Sequence, residues 1–380
     1  MRILPVASGK GGVGKTLLAA NLAIALAQAG KRVVLADLDL GGSNLHLVLG
    51  VRGVGQGIGL LLNNPSTTFD DILIQTEYDG LTFVAGDAEI PGIANLAAAQ
   101  KNMLIRRLAK LDADYVVLDL GAGTNFNILD FFLMSGRGIV VTTPTPTATV
   151  NAYLFLKNAV FRIINRGVGK KSAAHAYLEQ VRKTGTSFQR VYIPELLAGI
   201  RRADPAAYQS IASGIARFRP RLVLNMLEDP KDADKANRLR RSCNQYLDLE
   251  LEHLGVVYRD DFQDIALSSQ LPIVVYKPDS VLAQAVFRIA DKVIQLGDED
   301  DEGPEVLSVQ DSYEAAGMEA EIDYESKLDH VSELLHSGAL TTADLIETVK
   351  MQQVEISTIR KENMLLKSKL LKAAAQGYTP

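Results

Sequence analysis

Short, mainly apolar runs alternate along this chain with longer stretches whose apolar residues recur at helical spacing. Ile3 to Ala7, residues 32–37, Leu81 to Ala85, Tyr115 to Leu118, Gly138 to Thr143 and Arg221 to Asn225 are the runs. Such runs, bounded by turn residues, predict buried strands. Leu17 to Gly30, Ala97 to Leu111, a segment starting at Asn151, and Val281 to Leu296 carry the helical period. Leu60 to Leu62 and Phe69 to Ile74 predict short helices, and the glycine-rich stretch from Gly50 to Gly59 predicts a loop. Strands alternating with helices imply an α/β fold built on a doubly wound, mainly parallel sheet. In such folds ligands sit at the carboxyl ends of the strands. No internal repeat is evident.

The candidate chemistry gathers at strand ends. Ser-Gly-Lys-Gly-Gly-Val-Gly-Lys-Thr, residues 8–16, joins the first strand to the first helix. Strand, glycine loop and helix in that order are the context in which G-x-x-x-x-G-K-[ST] forms a phosphate cradle. Gly9, Gly11, Gly12, Val13 and Gly14 can turn their N–H groups inward, and the helix start adds its positive dipole end. Lys15 is placed to reach phosphates, and the Thr16 hydroxyl to ligate Mg²⁺. The second strand ends in Asp37-Leu-Asp39, with Asn44 shortly after. Acidic residues at strand ends beside a phosphate loop suit metal and water handling; Asp37 serves equally as a helix or turn cap. The Tyr115 strand ends in Asp119-Leu-Gly-Ala-Gly. A carboxylate followed by glycines suits Mg²⁺ binding through water, with Gly121 or Gly123 offering an N–H to a terminal phosphate.

Lys10 is a second lysine in the loop. The pattern Lys10-Gly-Gly-Val-Gly-Lys-Thr resembles the deviant Walker A motif of the MinD/ParA family of P-loop ATPases. Asp37-Leu-Asp-Leu-Gly-Gly-Ser-Asn-Leu is similar to the switch I segment of the MinD/FlhG branch. The resemblance spans about residues 1–296, strongly in the first half and weakly after Asn225. It implies that ATP and Mg²⁺ are the cofactors and that ATP closes a homodimer. Lys10 would then contact the partner's phosphates, Asp39 would position or activate the attacking water, and Asp37 would order the metal's water shell. It further implies that Asn44 supports the switch, that Asn225 reads adenine, and that a regulatory protein partner stimulates slow hydrolysis. Asn225 can instead simply cap a strand end. Pro144-Thr-Pro has a family counterpart, and Gly255 to Val257 with Pro272 to Val275 complete the outline. Tyr258 stands where relatives usually have Pro. The activating extension usual in FlhG relatives does not precede the loop, so a flagellar role does not carry over.

Composition changes the picture outside the motifs. The chain has 380 residues, 47% hydrophobic and 22% charged, with net charge −5. That predicts a large globular domain with appendages. No leader-like segment or apolar run of about 18 residues is evident, so a cytoplasmic location is expected, at most peripheral at a membrane or nucleoid. Residues 157–222 form a basic insertion in which thirteen lysines and arginines face Glu179, Glu195 and Asp204. This insertion offers a surface for DNA phosphates or anionic lipid, or else a solvated helical face. Residues 297–327 are acidic and read as a disordered linker that folds back onto the insertion. Residues 328–380 predict a short helix, a break at Ser337-Gly338, and a long helix capped by Thr341 or Thr342. That helix supports heptads with Val349, Ile356, Asn363 and Leu370 at a, and Leu345, Gln352, Ile359, Leu366 and Ala373 at d. A parallel coiled coil fits, with Glu355–Arg360 and Glu362–Lys367 pairing between chains. Docking on the ATPase domain or lying on a membrane are the alternatives.

Three other functions share this scaffold. An ATP-dependent metabolic enzyme like cobyrinate amidase would need a nucleophile site that lone Cys243 does not suggest. An iron–sulfur carrier would need paired cysteines. A DNA-binding adaptor with weak ATPase is disfavoured because the phosphate, metal and switch residues are all present.

Overall fold

The computed structural model describes all residues except 53–56, 65, 87–95, 184–191 and 299–308. Beyond 336 it describes 346, 349, 350, 353, 356, 357, 361 and 364. The chain divides into Met1–Tyr324 and Glu325–Pro380. The first unit is built on strands β1 (Arg2–Ser8), β2 (Val33–Leu38), β3 (Leu73–Gln75), β4 (Leu81–Val84), β5 (Tyr115–Ala122), β6 (Ile139–Thr142), β7 (Arg221–Leu227) and β8 (Glu252–Tyr258). Their order in the sheet is β3-β4-β2-β5-β1-β6-β7-β8. Every neighbouring pair is parallel except the antiparallel edge β3–β4.

The apolar runs are continuous because both faces of the sheet are covered. Val33, Leu35, Tyr115 and Val117 face one core, shared with α1 (Lys15–Gln28) and α13 (Val281–Asp298). Val34, Ala36, Val116 and Leu118 face the other, packed under α4 (Ala98–Leu108), α5 (Phe126–Phe132) and α6 (Pro146–Gly167). This alternation is the period of two that a strand imposes.

Several elements differ from the sequence reading. Phe69 to Ile74 is no helix: Leu73 and Ile74 belong to edge strand β3, whose pairing with β4 overrides local propensity. Helix α6 starts at Pro146 rather than Asn151, because proline fits the first turn, where its missing N–H is not needed. Ile273–Tyr276 forms a short helix, α12. The basic insertion folds as α7 (Ala173–Lys183), α8 (Ile193–Ala203) and α9 (Pro205–Ala216), and its Leu178, Leu196, Ile200 and Ile211 join the core beneath α6. Part of its charge is buried or paired, while Lys170, Lys171, Lys183, Arg201, Arg202 and Arg217 are exposed. Lys157 and Arg221 are buried, and Arg162 and Arg166 both pair with Asp130. Arg182 pairs with Glu179, Arg219 with Glu250, and Arg221 with Glu252.

The acidic stretch requires the largest correction. From Val309 it is helix, α14 (Val309–His336), and Tyr313, Ala316 and Ala320 are buried. Its hydrogen bonds reach β8 and the residues just before it. Tyr313 Oη donates to the Leu251 carbonyl at 2.9 Å, and Tyr258 Oη donates to the Ala320 carbonyl at 2.8 Å. Asp323 pairs with Arg288, and Glu319 with Lys292 at 2.5 Å, both partners on α13. Arg240 of α10 (Asp234–Leu247) lies over the Tyr313 ring, 4.9 Å from its centroid. Asp323 and Glu319 thus meet α13 rather than the basic insertion, and the predicted fold-back of residues 299–308 lies outside the described residues. A helix with one apolar stripe buries that stripe whatever the charge on its other face. The helix also runs unbroken through Leu328 to Leu335.

In the second unit, the described positions beyond 336 are helical. Ile346, Val349, Ile356 and Met364 are all about half exposed or more. The remaining a and d positions, the Ser337-Gly338 break, the capping threonines and the Glu355, Arg360, Glu362 and Lys367 pairs lie outside the described residues. Among the described residues, no helix is long and apolar enough to cross a membrane.

Candidate nucleotide site

Three adjacent central strands deliver the site. The loop 9–14 leaves the carboxyl end of β1, and parallel register puts Asp37 of β2 directly beside Asp119 of β5. Within the loop, Gly12 and Gly14 hold φ of +77° and +82°, a left-handed conformation that costs any other L-residue about 1–2 kcal/mol. Gly14 is doubly required: a Cβ there would lie 2.3 Å from Asn225 Nδ2. Gly9 is packed as tightly, since its Cβ would meet the Asn151 carbonyl oxygen at 2.0 Å. The curl of the loop is therefore enforced from α6 and β7 as well as by its own glycines.

Lys15 is buried, and its Nζ lies 2.5 Å from Asp119 Oδ1 and 3.3 Å from Thr16 Oγ1. Burial pushes the Asp119 carboxyl up, and the nearby Lys15 ammonium and Thr16 hydroxyl oppose that rise. Asp37 is completely buried, and burial together with the Asp119 charge raises it to about 6. Its oxygens accept from Ser43 Oγ at 2.6 Å, Asp39 N at 3.0 Å and Leu45 N at 3.2 Å. Asp37 thus pins the switch loop and caps the short helix α2 (Leu45–Val48) from a distance, the capping role left open by the sequence. Ser43 gave no signal in the sequence beyond its place in the loop.

Asp39 is half-buried at the rim. A Cβ on Gly121 would come within 3.0 Å of its Oδ1, so a glycine near the end of β5 lets Asp39 approach that strand closely. Gly123, at φ +100°, donates its N–H to the Ser8 carbonyl at 3.1 Å. Asn44 is exposed, with Nδ2 donating to the Gly42 carbonyl at 2.9 Å. Asn225 donates from Nδ2 to the Val13 carbonyl at 2.9 Å, bracing the loop from β7. Its neighbour Met226 holds φ +59°, at the irregularity where β7 and β8 shift register. Tyr258 turns away into the core under α14, which accounts for an aromatic residue at that position.

Lys10 does not join this cluster. Its exposed side chain donates to Thr147 Oγ1 at 3.1 Å, across the start of α6. Cys243 is buried, and burial pushes its thiol up to about 12, which leaves it without nucleophilic thiolate. Among the described residues, no three His, Cys, Asp or Glu side chains form a self-sufficient metal cage. The donor set instead fits a nucleotide-bound Mg²⁺, which takes a hydroxyl and one or two carboxylates and leaves its other positions to phosphates and water. The glycine cradle, Thr16 and the paired Asp37 and Asp119 supply that set.

Comparison with known proteins agrees with this geometry. Residues 4–273 match the model of the CobQ/CobB/MinD/ParA nucleotide binding domain. The antiactivator FleN of Pseudomonas aeruginosa is 24% identical over 296 residues, 77% of this chain and 86% of its own length. The septum site-determining protein MinD of Synechocystis is 36% identical over 164 residues, 40% of this chain. Such MinD relatives are matched over about half their length, 56% in the Synechocystis protein. The structure of MinD with Mg-ADP from Pyrococcus horikoshii superposes with a TM-score of 0.53 at 21% identity, covering 78% of this chain and 97% of that one.

Proposed function

The chain belongs to the CobQ/CobB/MinD/ParA nucleotide-binding family, and within it we propose a Mg²⁺-ATP-dependent switch that dimerises around nucleotide and hydrolyses it slowly. The observation that carries this reading is the division of labour between the two lysines of the loop. Lys15 is buried against Asp119, whereas Lys10 lies exposed on the rim beside Thr147. A lysine held outside its own cradle is available to phosphates carried by a second copy.

In this mechanism the loop N–H groups and Lys15 hold the β- and γ-phosphates. With Lys15 turned from Asp119 to phosphate, Thr16, Asp119 and Asp37 are the residues that would hold the metal. Bound there, Mg²⁺ would neutralise charge on the transferring phosphoryl group. Asp39 positions the attacking water, and its close approach to Gly121 couples the switch loop to the end of β5. Asn225 takes the base side of the site while bracing the loop. The output is positional or regulatory, in keeping with the septum-site and antiactivator relatives: a protein partner senses the closed dimer. The exposed Val349 and Ile356, both at a positions, support a C-terminal coiled coil that tethers the subunits. Lys170, Lys171, Lys183, Arg201 and Arg202 are exposed on the insertion and offer a basic surface for DNA phosphates or anionic lipid.

Nucleotide binding and turnover by single variants test the assignment. Lys15→Ala should lose Mg-ATP binding. Asp39→Ala should bind normally and lose turnover, and Lys10→Ala should bind as a monomer and lose turnover. Turnover by Lys10→Ala at the wild-type rate would refute the trans role.

A further inference from the structure

The opposite end of the same strands carries a second concentration of charge. A cleft of about 1000 Å³ opens where Arg2 and Tyr115 begin β1 and β5, Arg137 precedes β6 and Arg221 begins β7. These four strands are adjacent, so the cleft lies across the amino ends of the sheet, away from the phosphate loop at the carboxyl ends. Arg166 from the end of α6, and Arg217 and Arg219 from the turn after α9, complete a lining with six arginines. No aspartate or glutamate is among the described lining residues.

Gathering six guanidinium groups around one concavity costs repulsion, and their anchoring shows how they are held. Arg166, Arg219 and Arg221 pair with Asp130, Glu250 and Glu252, which stand outside the lining. Bonds from the other three include those to neutral oxygens: Arg2 to Tyr115 Oη at 3.2 Å, Arg137 to the Leu296 carbonyl at 3.3 Å, and Arg217 to the Ser213 carbonyl at 3.3 Å. The guanidinium forks are thereby tethered to rigid strand and helix ends, and a planar fork matches phosphate oxygens in pairs.

We propose that this cleft is a second ligand site, taking a small molecule with two or more phosphate groups. The concavity favours a small ligand over nucleic acid: its volume is at the upper end of the range of small-molecule pockets, about 300–1000 Å³, whereas a duplex needs an open groove or a convex basic stripe. The site is separate from the nucleotide site and stands whether or not ATP drives dimerisation.

Titration calorimetry on the full chain, with the nucleotide site saturated by Mg-ADP and inorganic tripolyphosphate as probe, tests the assignment. One further tripolyphosphate should bind per chain. Affinity should fall at least about tenfold in Arg137→Gln/Arg217→Gln, whose ADP affinity stays at the wild-type value. Absence of a second binding event, or equal affinity in the double variant, overturns the proposal. A short DNA duplex that binds through these arginines while tripolyphosphate neither binds nor displaces it would make the cleft a nucleic-acid contact instead. A further variant neutralises Asp298, Glu299, Asp300, Asp301 and Glu302, which follow Leu296 in sequence. Binding of tripolyphosphate by that variant alone would show that the arginines serve the chain's own acids, and would equally overturn the proposal.

Discussion

Lys15, Asp119 and Asp37 are buried together, with Lys15 paired to Asp119 and Asp37 beside Asp119 in the sheet, and their electrostatics make testable demands. Asp37 is raised from 3.8 to about 6 by burial and by Asp119, so the folded state holds its proton over a range where the unfolded chain has released it. The native chain then binds more protons than the unfolded one between those two values, and stability falls as pH rises through that window. A shift of this size corresponds to roughly 3 kcal/mol. Urea titrations of the nucleotide-free protein should show this decline from pH 4 to 6, and Asp37→Asn should flatten it. Gly14→Ala combines left-handed strain with a Cβ placed 2.3 Å from Asn225 Nδ2. It should weaken nucleotide binding by at least about tenfold in a fluorescent-nucleotide titration, with the fold retained by circular dichroism. The cluster was legible in the sequence because each member sits in a contiguous motif, Lys15 at the start of a helix and the two aspartates near strand ends. The brace from Asn225 to the Val13 carbonyl was not, since the two residues are 212 positions apart and no local pattern links them. The Asp39–Gly121 approach was hidden for the same reason: it depends on which strands neighbour one another.

Two elements carry stability that composition concealed. Helix α14 lies in a stretch whose acidity suggested disorder, yet Tyr313, Ala316 and Ala320 supply a buried stripe, and the two alanines let its backbone approach the Tyr258 hydroxyl. The strand periods were legible because burial on both faces leaves an unbroken apolar run, whereas small apolar residues scattered among many acids give a weak helical signal. Tyr313→Ala should cost about 3–5 kcal/mol, the range for deleting a buried aromatic ring, measurable by urea denaturation. On the other face, buried Asp130 of α5 gathers Lys101 of α4 with Arg162 and Arg166 of α6. Burial alone would raise its carboxyl, but hydrogen bonds from Arg162 and Lys101 and the Arg166 charge hold it at about 2. This contribution is present above the unfolded value of 3.8 and is lost as pH falls through about 2. Asp130→Asn should therefore destabilise the protein at pH 7 by about 3 kcal/mol, at the low end for breaking a buried pair because Arg166 reaches solvent. The same substitution should reduce the steepness of acid unfolding.

The whole chain combines a nucleotide-binding unit with a C-terminal unit whose described residues are helical, and assembly through the first is the central claim. Truncation after His336 keeps the docked part of α14 and removes the predicted heptads, so it separates the two modes of association. A cut after Leu296 would instead strip the cover from β8 and expose the surface that Tyr313 and Ala320 fill. The decisive measurement is the light-scattering mass of the Asp39→Ala protein truncated after His336, without nucleotide and with Mg²⁺-ATP, beside the same protein carrying Lys10→Ala. The account predicts a monomer that doubles its mass with ATP, and no doubling once Lys10 is removed. An unchanged mass with ATP, or doubling that persists without Lys10, would contradict the nucleotide-closed dimer and leave the C-terminal helix as the element that assembles the protein.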